Sequence, residues 1–202
     1  KFAAGAATQT EVLDAQEAAI KSSQAVTDAQ AQADSTKKKL IISCGWAYNA
    51  EPDFGEVPEL DLRQMDTMNP DTDLEKALSN NYTLRANERK LTNSSSQTQK
   101  DTQNNAIASN KTNIASSLTE AYQNVIAARD AYIYEKTNSE LQEANLETAK
   151  KKYSLGAISL IELKKQENDT VNAKVSYKQS VYALQIAISA YYWTINGLAK
   201  AS

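Results

Sequence analysis

The stretch YSLGAISLIELKK, residues 153–165, places a turn and a new helix start inside a long run of helix-favouring residues. Gly156 supplies the backbone freedom that a tight turn between two helices needs. Ser159 and Glu162 follow with the S/T-x-x-E spacing of a capping box, in which each side chain accepts the backbone N–H of the other residue. The stretch therefore predicts an αα-hairpin whose turn lies at residues 155–158.

The first residues of the chain repeat this motif. At an offset of 151 residues, the glycine and the two cap residues of the start of the chain fall on those of the hairpin turn: Gly5, Thr8 and Glu11. The following small and apolar residues then keep one spacing of three and four in both copies, which is typical of a heptad seam. The first seam is Val12, Ala15, Ala19, Ser22, Val26, Ala29, Ala33, Thr36 and Leu40. The second seam is Leu163, Gln166, Thr170, Ala173, Tyr177, Ser180, Leu184, Ala187 and Tyr191. The pattern indicates an internal duplication.

A third seam precedes the turn and predicts a long helix antiparallel to the one that follows it. Its apolar members are Ile107, Ile114, Leu118, Ala121, Val125, Ala128, Tyr132, Leu146, Ala149 and Tyr153. Three polar residues, Glu135, Ser139 and Gln142, dilute its middle. Residues 92–113 are rich in Ser, Thr, Asn and Gln, which fits either a weak exposed helix or a disordered connector. The two isoleucines in the seam favour the helix.

Glycine and proline divide the chain into parts. Gly45 and Gly197 each follow an apolar helical stretch, as expected for glycine just past a helix end. All three prolines fall within residues 46–71, which we predict to be an irregular linker. Thr72 and Glu75 then fit a capping box that opens the next helix. The chain is therefore predicted to have three parts. Residues 1–45 form the outgoing helix of the first repeat with its tip turn, and residues 46–71 form the linker. Residues 72–202 form the second repeat, with a long helix or helices to residue 154, a tip turn at 155–158 and an outgoing helix at 159–197.

The composition offers little for chemistry. The 202 residues include no His and a single Cys, so the commonest metal ligands and any intramolecular disulfide are excluded. A net charge of -3 without a basic patch argues against nucleic acid as a main partner. No 18-residue apolar run is present to form a membrane-spanning helix. Without a convergent polar cluster we nominate no catalytic, cofactor-binding or metal-binding residue, and we predict that the protein is not an enzyme.

These motifs together resemble the TolC-like outer membrane efflux protein family. The resemblance lies in the pattern Tyr-x-x-Gly-x-x-Ser/Thr-x-x-Glu-Leu/Val, in GAATQTEVLDAQ (residues 5–16) and in DLEKALSNNYTLRANERKL (residues 73–91). It spans nearly the whole chain, and the linker stands where that family has its equatorial segment. The resemblance implies a homotrimer whose long helices close into a hollow α-barrel below an outer-membrane β-barrel. Such trimers form the exit duct of tripartite drug efflux pumps and type I secretion systems.

The resemblance also implies two kinds of functional residue. The hairpin tips would dock an adaptor (membrane fusion) protein that connects the duct to an inner-membrane pump: Ala4, Gly5, Ala6, Leu155, Gly156 and Ala157. Small apolar residues at exposed turns are consistent with such a contact surface. Just beyond the turns, family carboxylates narrow the tunnel entrance, and by position these would be Glu11, Asp14 and Glu162, with Lys165 replacing the fourth.

Each entrance residue has a second interpretation. Glu11 and Glu162 also fit the third helical position of a capping box, with Thr8 and Ser159 as the caps, and the capping and entrance roles are compatible. Asp14 has no capping role, and an acidic residue in the first turn is also explained by the helix dipole. Lys165 departs from the family pattern, which argues against a cation-selective acidic ring.

A larger departure concerns the β-strands that the family inserts between its long helices. Near residues 92–113 nothing alternates like a transmembrane strand. We therefore expect an all-α segment of long antiparallel heptad helices, a TolC-type α-barrel part without the β-barrel strands. This chain either has lost its strands or comes from a relative in a cell that lacks an outer membrane. Any membrane association would come from segments missing here. Since the chain opens in mid-motif, we expect a fragment that lacks the incoming helix of the first copy.

Two functions remain open at this point. The first is the helical duct component in the cell envelope, outside the cytoplasmic membrane: in the periplasm and outer membrane, or at the cell surface where no outer membrane exists. The alternative is a cell-envelope helical scaffold or interaction module without a pore, which the missing strands favour.

Overall fold

The computed structural model describes residues 8–198, and helices make up 84% of them. No β-strand occurs in this described range, so the predicted all-α fold is confirmed. The predicted tip residues Ala4, Gly5 and Ala6 lie outside it. The helices are α1 (Gln9–Ser43), a 3₁₀ helix (Leu62–Thr67), α2 (Pro70–Asn80), α3 (Tyr82–Thr92), α4 (Gln97–Ser154) and α5 (Leu160–Trp193), which ends in a wider π-helical turn (Thr194–Leu198).

The chain divides into two units, Lys1–Pro58 and Glu59–Ser202, and the division falls inside the predicted linker. In the first unit, α1 runs for 35 residues. All of α1 is described, and Ile41 is its buried residue. The first seam is exposed along most of its length, and Val26 at its centre keeps 71% of its surface exposed.

The second unit is built around an antiparallel hairpin, in which α4 has 58 residues and α5 has 34. Every position of the second seam is buried or half-buried, which confirms it as a packing face. The third seam packs in the same way except at Tyr153, which is exposed. The apolar core lies toward the end of the hairpin remote from the turn, where α2 and α3 cover it. Its buried members are Met68, Ala77, Leu84, Ile114, Leu118, Ala121, Val125, Leu184, Ile188, Tyr191 and Ile195.

In the half of the hairpin nearer the turn, polar contacts add to the packing of the seams. Gln166 Nε2 donates to Gln142 Oε1 at 2.9 Å across the two helices. Thr170 Oγ1 donates both to the Gln142 carbonyl at 3.1 Å and to the Gln166 carbonyl at 2.8 Å. The buried Ser139 lies one turn from Gln142 on α4. Of the polar residues that dilute the third seam, Gln142 therefore bonds across to α5, through Gln166 and Thr170.

The sequence was misleading about the start of α2. Thr72 does not cap this helix; Asn69 does, and its side-chain oxygen accepts the N–H groups of Asp71 at 3.0 Å and Thr72 at 3.4 Å. Pro70 occupies the first helical position, where its fixed φ and missing N–H are favourable. The Asp73 carboxylate accepts the Asn69 N–H at 3.3 Å. Pro70 and the capping Asn69 therefore place the helix start three residues before the predicted one.

Two other expectations become more specific in the structure. The predicted irregular linker contains the 3₁₀ helix, with Asp61 accepting the N–H of Arg63 as its cap. The Ser- and Asn-rich segment is helical from Gln97, because Ser96 and Gln99 form a complete capping box. The helix alternative for residues 97–113 is therefore confirmed.

A buried asparagine joins the short helices to the end of α5. Asn81 ends α2 and caps α3, where its side-chain oxygen accepts the Leu84 N–H at 3.0 Å. Its Nδ2 donates to the Gly197 carbonyl at 3.4 Å, and Asn80 Nδ2 donates to the Ile195 carbonyl at 3.1 Å. These bonds satisfy carbonyl groups at the helix C-terminus that have no partner within the helix. The α2–α3 corner is thereby attached to the base of the hairpin.

Candidate functional site at the hairpin tip

The tip turn of the second unit is closed by backbone hydrogen bonds. The Ala157 N–H donates to the Lys152 carbonyl at 2.8 Å, and the Gly156 N–H donates to the Tyr153 carbonyl at 2.9 Å. This pair of bonds is a Schellman motif, which requires a left-handed residue after the helix end. Gly156 fulfils this requirement with a φ of +70°. The turn is consequently compact and fixed by the backbone itself.

A capping box starts α5 directly after the turn. The Glu162 N–H donates to Ser159 Oγ at 3.2 Å, and the Ser159 N–H donates to Glu162 Oε2 at 2.7 Å. Because the Glu162 carboxylate accepts the backbone N–H and the hydroxyl of Ser159, its pKa lies below the ordinary value for glutamate. Its charge is thus held at the positive end of the helix dipole.

The first copy of the motif forms the same box in the other unit. The Glu11 N–H donates to Thr8 Oγ1 at 3.2 Å, and the Thr8 N–H donates to Glu11 Oε2 at 2.6 Å. Both predicted capping boxes are therefore confirmed by their reciprocal hydrogen bonds. The duplication extends from the sequence to the local structure of the two helix starts.

An apolar surface is exposed around the tip turn. Leu155 at the apex keeps 82% of its surface exposed, and Ile161 keeps 58%. Leu160 and Tyr153 are exposed beside them. We call these four side chains the tip patch. Sequence reasoning nominated Leu155 with its small neighbours Gly156 and Ala157, all of which are exposed, but it missed Leu160 and Ile161. The sequence signal that could have identified these two residues is their apolar character just before the seam, which begins at Leu163.

Basic residues surround the tip patch. The lysines at positions 150–152 end α4, and those at 164 and 165 lie in the first turns of α5. Lys150 pairs with Glu147 at 2.8 Å and Lys164 pairs with Glu167 at 2.6 Å, both on exposed helix surface. The tip thus combines exposed apolar side chains with a charged border in which lysines outnumber glutamates.

The four predicted entrance residues are placed in two pairs. Glu162 and Lys165 lie on the first turns of α5, and Glu11 and Asp14 lie on those of α1 in the other unit. Lys165 and Asp14 are both exposed. A role of these residues at a tunnel entrance stays a prediction.

The described residues provide no site for metal chemistry. Between residues 8 and 198, no group of three or more Cys, Asp or Glu side chains is arranged to hold a metal ion. None of the helices in this range combines the length and the apolar character that spanning a membrane requires.

A buried tyrosine hydroxyl lies apart from the tip. Tyr191 Oη donates to Asp73 Oδ2 at 2.7 Å. Burial and the neighbouring carboxylate raise the pKa of Tyr191. It lies in the apolar core and joins α5 to α2.

Comparison of the chain with models of protein families, with curated proteins and with solved structures gives no match to any of them.

Proposed function

We propose that the chain is a helical duct component of a tripartite efflux or type I secretion system, located in the cell envelope outside the cytoplasmic membrane. In this proposal it oligomerises as a homotrimer through its long helices. Its hairpin tips dock an adaptor protein, which links the duct to an inner-membrane pump. The observation that carries the proposal is the tip patch, because a fixed turn with exposed large apolar side chains is typical of a contact surface.

The local structure suits docking because hydrogen bonds already fix the conformation of the tip turn. The Schellman motif and the capping box satisfy the backbone groups on both sides of the turn. A preorganised surface keeps more of its binding energy, since less conformational entropy is lost on association. Leu155 and Ile161 can then fill apolar pockets on the partner. The lysines at the border would select a partner surface with acidic residues around those pockets.

Binding to purified hairpin domains of adaptor proteins, measured by biolayer interferometry, tests the proposal. We expect Leu155→Asp and Ile161→Asp to weaken binding at least tenfold, as is usual for buried interface anchors. The matched control is Ile133→Asp on α4, where Ile133 is 53% exposed and lies about 22 residues from the tip. If the tip variants and the control bind a panel of adaptor hairpins equally, tip docking is wrong.

The scaffold alternative is favoured by a different observation. The unit Glu59–Ser202 completes an apolar core from its own helices, so it can fold and present its tip without forming a duct. Light scattering separates the two functions. A chain that binds an adaptor hairpin and stays monomeric at high concentration acts as a scaffold, whereas a discrete oligomer supports the duct.

A further inference from the structure

The π-helical turn at the end of α5 contains an Asn-Gly pair, Asn196 and Gly197, which occurs once in the sequence. The backbone nitrogen that follows an asparagine can attack the side-chain amide of that asparagine. Glycine hinders this attack less than any other residue, because it has no Cβ. Asn196 is exposed, so water and hydroxide reach its side-chain amide. The pair therefore meets the chemical requirements for deamidation.

The reaction needs only the two residues and water. The backbone nitrogen of Gly197 loses its proton to hydroxide and attacks Cγ of Asn196. A new C–N bond forms, the bond between Cγ and Nδ2 breaks, and Nδ2 takes a proton from water and leaves as ammonia. The product is a five-membered succinimide ring. Water then adds to one of the two ring carbonyl carbons and opens the ring, which gives either aspartate or isoaspartate.

The intact turn directs the two reacting groups apart. Asn196 Nδ2 donates to the Tyr192 carbonyl at 2.8 Å. Because this carbonyl lies in the preceding turn of the helix, the bond points the side-chain amide away from the Gly197 nitrogen, which follows Asn196 in the chain. Attack on Cγ therefore requires that the terminal turn opens and that this hydrogen bond breaks.

Contacts with the α2–α3 corner oppose this opening. Asn80 Nδ2 donates to the Ile195 carbonyl at 3.1 Å, and Asn81 Nδ2 donates to the Gly197 carbonyl at 3.4 Å. Gly197 also packs so closely that a Cβ atom on it would lie 2.3 Å from the Asn80 carbonyl oxygen. The fraction of time that the turn is open thus depends on how firmly the corner holds it.

We propose that Asn196 is a site of spontaneous deamidation through a succinimide, and that the α2–α3 corner controls the rate by holding the terminal turn closed. The modification in turn weakens these contacts. Isoaspartate adds one carbon atom to the backbone between residues 196 and 197, and Gly197 has no room to move toward Asn80. Both products also place a negative charge at the C-terminal end of α5, where the helix dipole disfavours it.

Peptide mapping by mass spectrometry of the full chain, incubated at mildly alkaline pH, tests the site. Deamidation changes the mass by the difference between OH and NH2, and chromatography separates the two isomers. In urea, where the corner is lost, we expect Asn196 to react faster than Asn93, an exposed asparagine followed by serine. In the folded chain Asn196 should react about tenfold or more slowly than in urea, the effect of two hydrogen bonds on the open fraction.

Two variants of the folded chain test control by the corner. Asn80→Ala removes the hydrogen bond to the Ile195 carbonyl. Asn81→Ser removes the hydrogen bond to the Gly197 carbonyl and keeps a side-chain oxygen that can cap α3. We expect each variant to raise the deamidation rate at Asn196 roughly two- to tenfold, the effect of one hydrogen bond on the open fraction. In urea the rates of the variants and of the parent chain should be equal.

The matched control is Ser79→Ala, because the Ser79 hydroxyl donates to the Lys76 carbonyl within α2 and makes no bond to α5. It should leave the rate at Asn196 unchanged. The rate at Asn93 in the same samples should also stay constant, which excludes global unfolding of the variants. Three results would overturn the proposal: equal rates at Asn196 and Asn93 in urea, unchanged rates at Asn196 in both corner variants, or no modification of Asn196 in any folded chain.

Discussion

Gly156 and Gly197 both adopt positive φ, at +70° and +97°, but their surroundings differ. A Cβ atom added to Gly156 would meet no atom within 4 Å. At Gly197 it would lie 2.3 Å from the carbonyl oxygen of Asn80. The first glycine is needed for its backbone conformation alone. The second is needed also for the space that lets the end of α5 approach the α2–α3 corner.

Alanine substitution should separate these two requirements. Gly156→Ala is expected to lower the free energy of unfolding by about 1–2 kcal/mol, which is the cost of a left-handed conformation. Gly197→Ala should lower it by roughly 1–3 kcal/mol more, because a backbone carbonyl must move as well. Urea unfolding followed by far-UV circular dichroism measures both, and each glycine serves as the control for the other. Equal losses would show that the contact with Asn80 gives way at no cost.

Helix α5 connects the long hairpin to the short helices of the second unit. It packs on α4 along its seam, ends against the α2–α3 corner, and bonds to α2 through Tyr191. The ring of Tyr191 is fully buried and lies 6.0 Å from that of Tyr122, while its hydroxyl donates to Asp73. One side chain thus combines apolar burial with a hydrogen bond to a charged acceptor between two helices.

Removal of this hydroxyl tests the link between α5 and α2. Tyr191→Phe is expected to lower the free energy of unfolding by about 1.5–3 kcal/mol, the usual range for a hydrogen bond to a charged group. The control is Tyr192→Phe, since Tyr192 is exposed and its loss of a hydroxyl should change stability by less than about 0.5 kcal/mol. Thermal unfolding of the two variants gives the comparison, and similar melting temperatures would mean that the bond contributes nothing.

The helical elements could be predicted from the sequence because their signals are local. Heptad spacing identified the packing face of α5, and the S/T-x-x-E spacing identified the starts of α1 and α5. The start of α2 was placed wrongly because Asn69 and Pro70 form a stronger start signal than Thr72. The break between α2 and α3 was also missed, although Asn81 is a capping residue whose side chain accepts the Leu84 N–H.

The candidate site was predicted only in part. The glycine-centred turn and Leu155 follow from the motif, whereas the rest of the tip patch depends on where α4 stops covering α5. Leu160 and Ile161 are apolar residues next to a seam, and the sequence alone does not distinguish them from core residues.

At the scale of the whole molecule, the two units differ in how their long helices are stabilised. Helices α4 and α5 bury a shared seam, and α1 leaves its seam exposed. An isolated helix in water is only marginally stable even when it is long, because tertiary packing supplies most helical stability in proteins. The stability of α1 should therefore depend on what covers its seam.

Hydrogen exchange tests this dependence. We expect the amides of α1 to exchange much faster than those around Leu184 in α5, which lie in the core. The amides around Leu184 are the internal reference for each sample. Equal exchange rates in the two helices would argue against the dependence of α1 on its seam.

The uneven packing of the α4–α5 hairpin has a mechanical consequence. Its apolar core lies at one end, while the half toward the turn combines seam residues with the bonds between Gln142 and Gln166 or Thr170. A hairpin that turned as a rigid body about this core would act as a lever fixed at its root. From Tyr132 to Leu155 the lever is roughly 35 Å long, so a rotation of about 5° at the root moves the tip by about 3 Å. A small repacking beside Tyr191 would thus displace Leu155, and any partner bound to it, by a distance as large as a side chain.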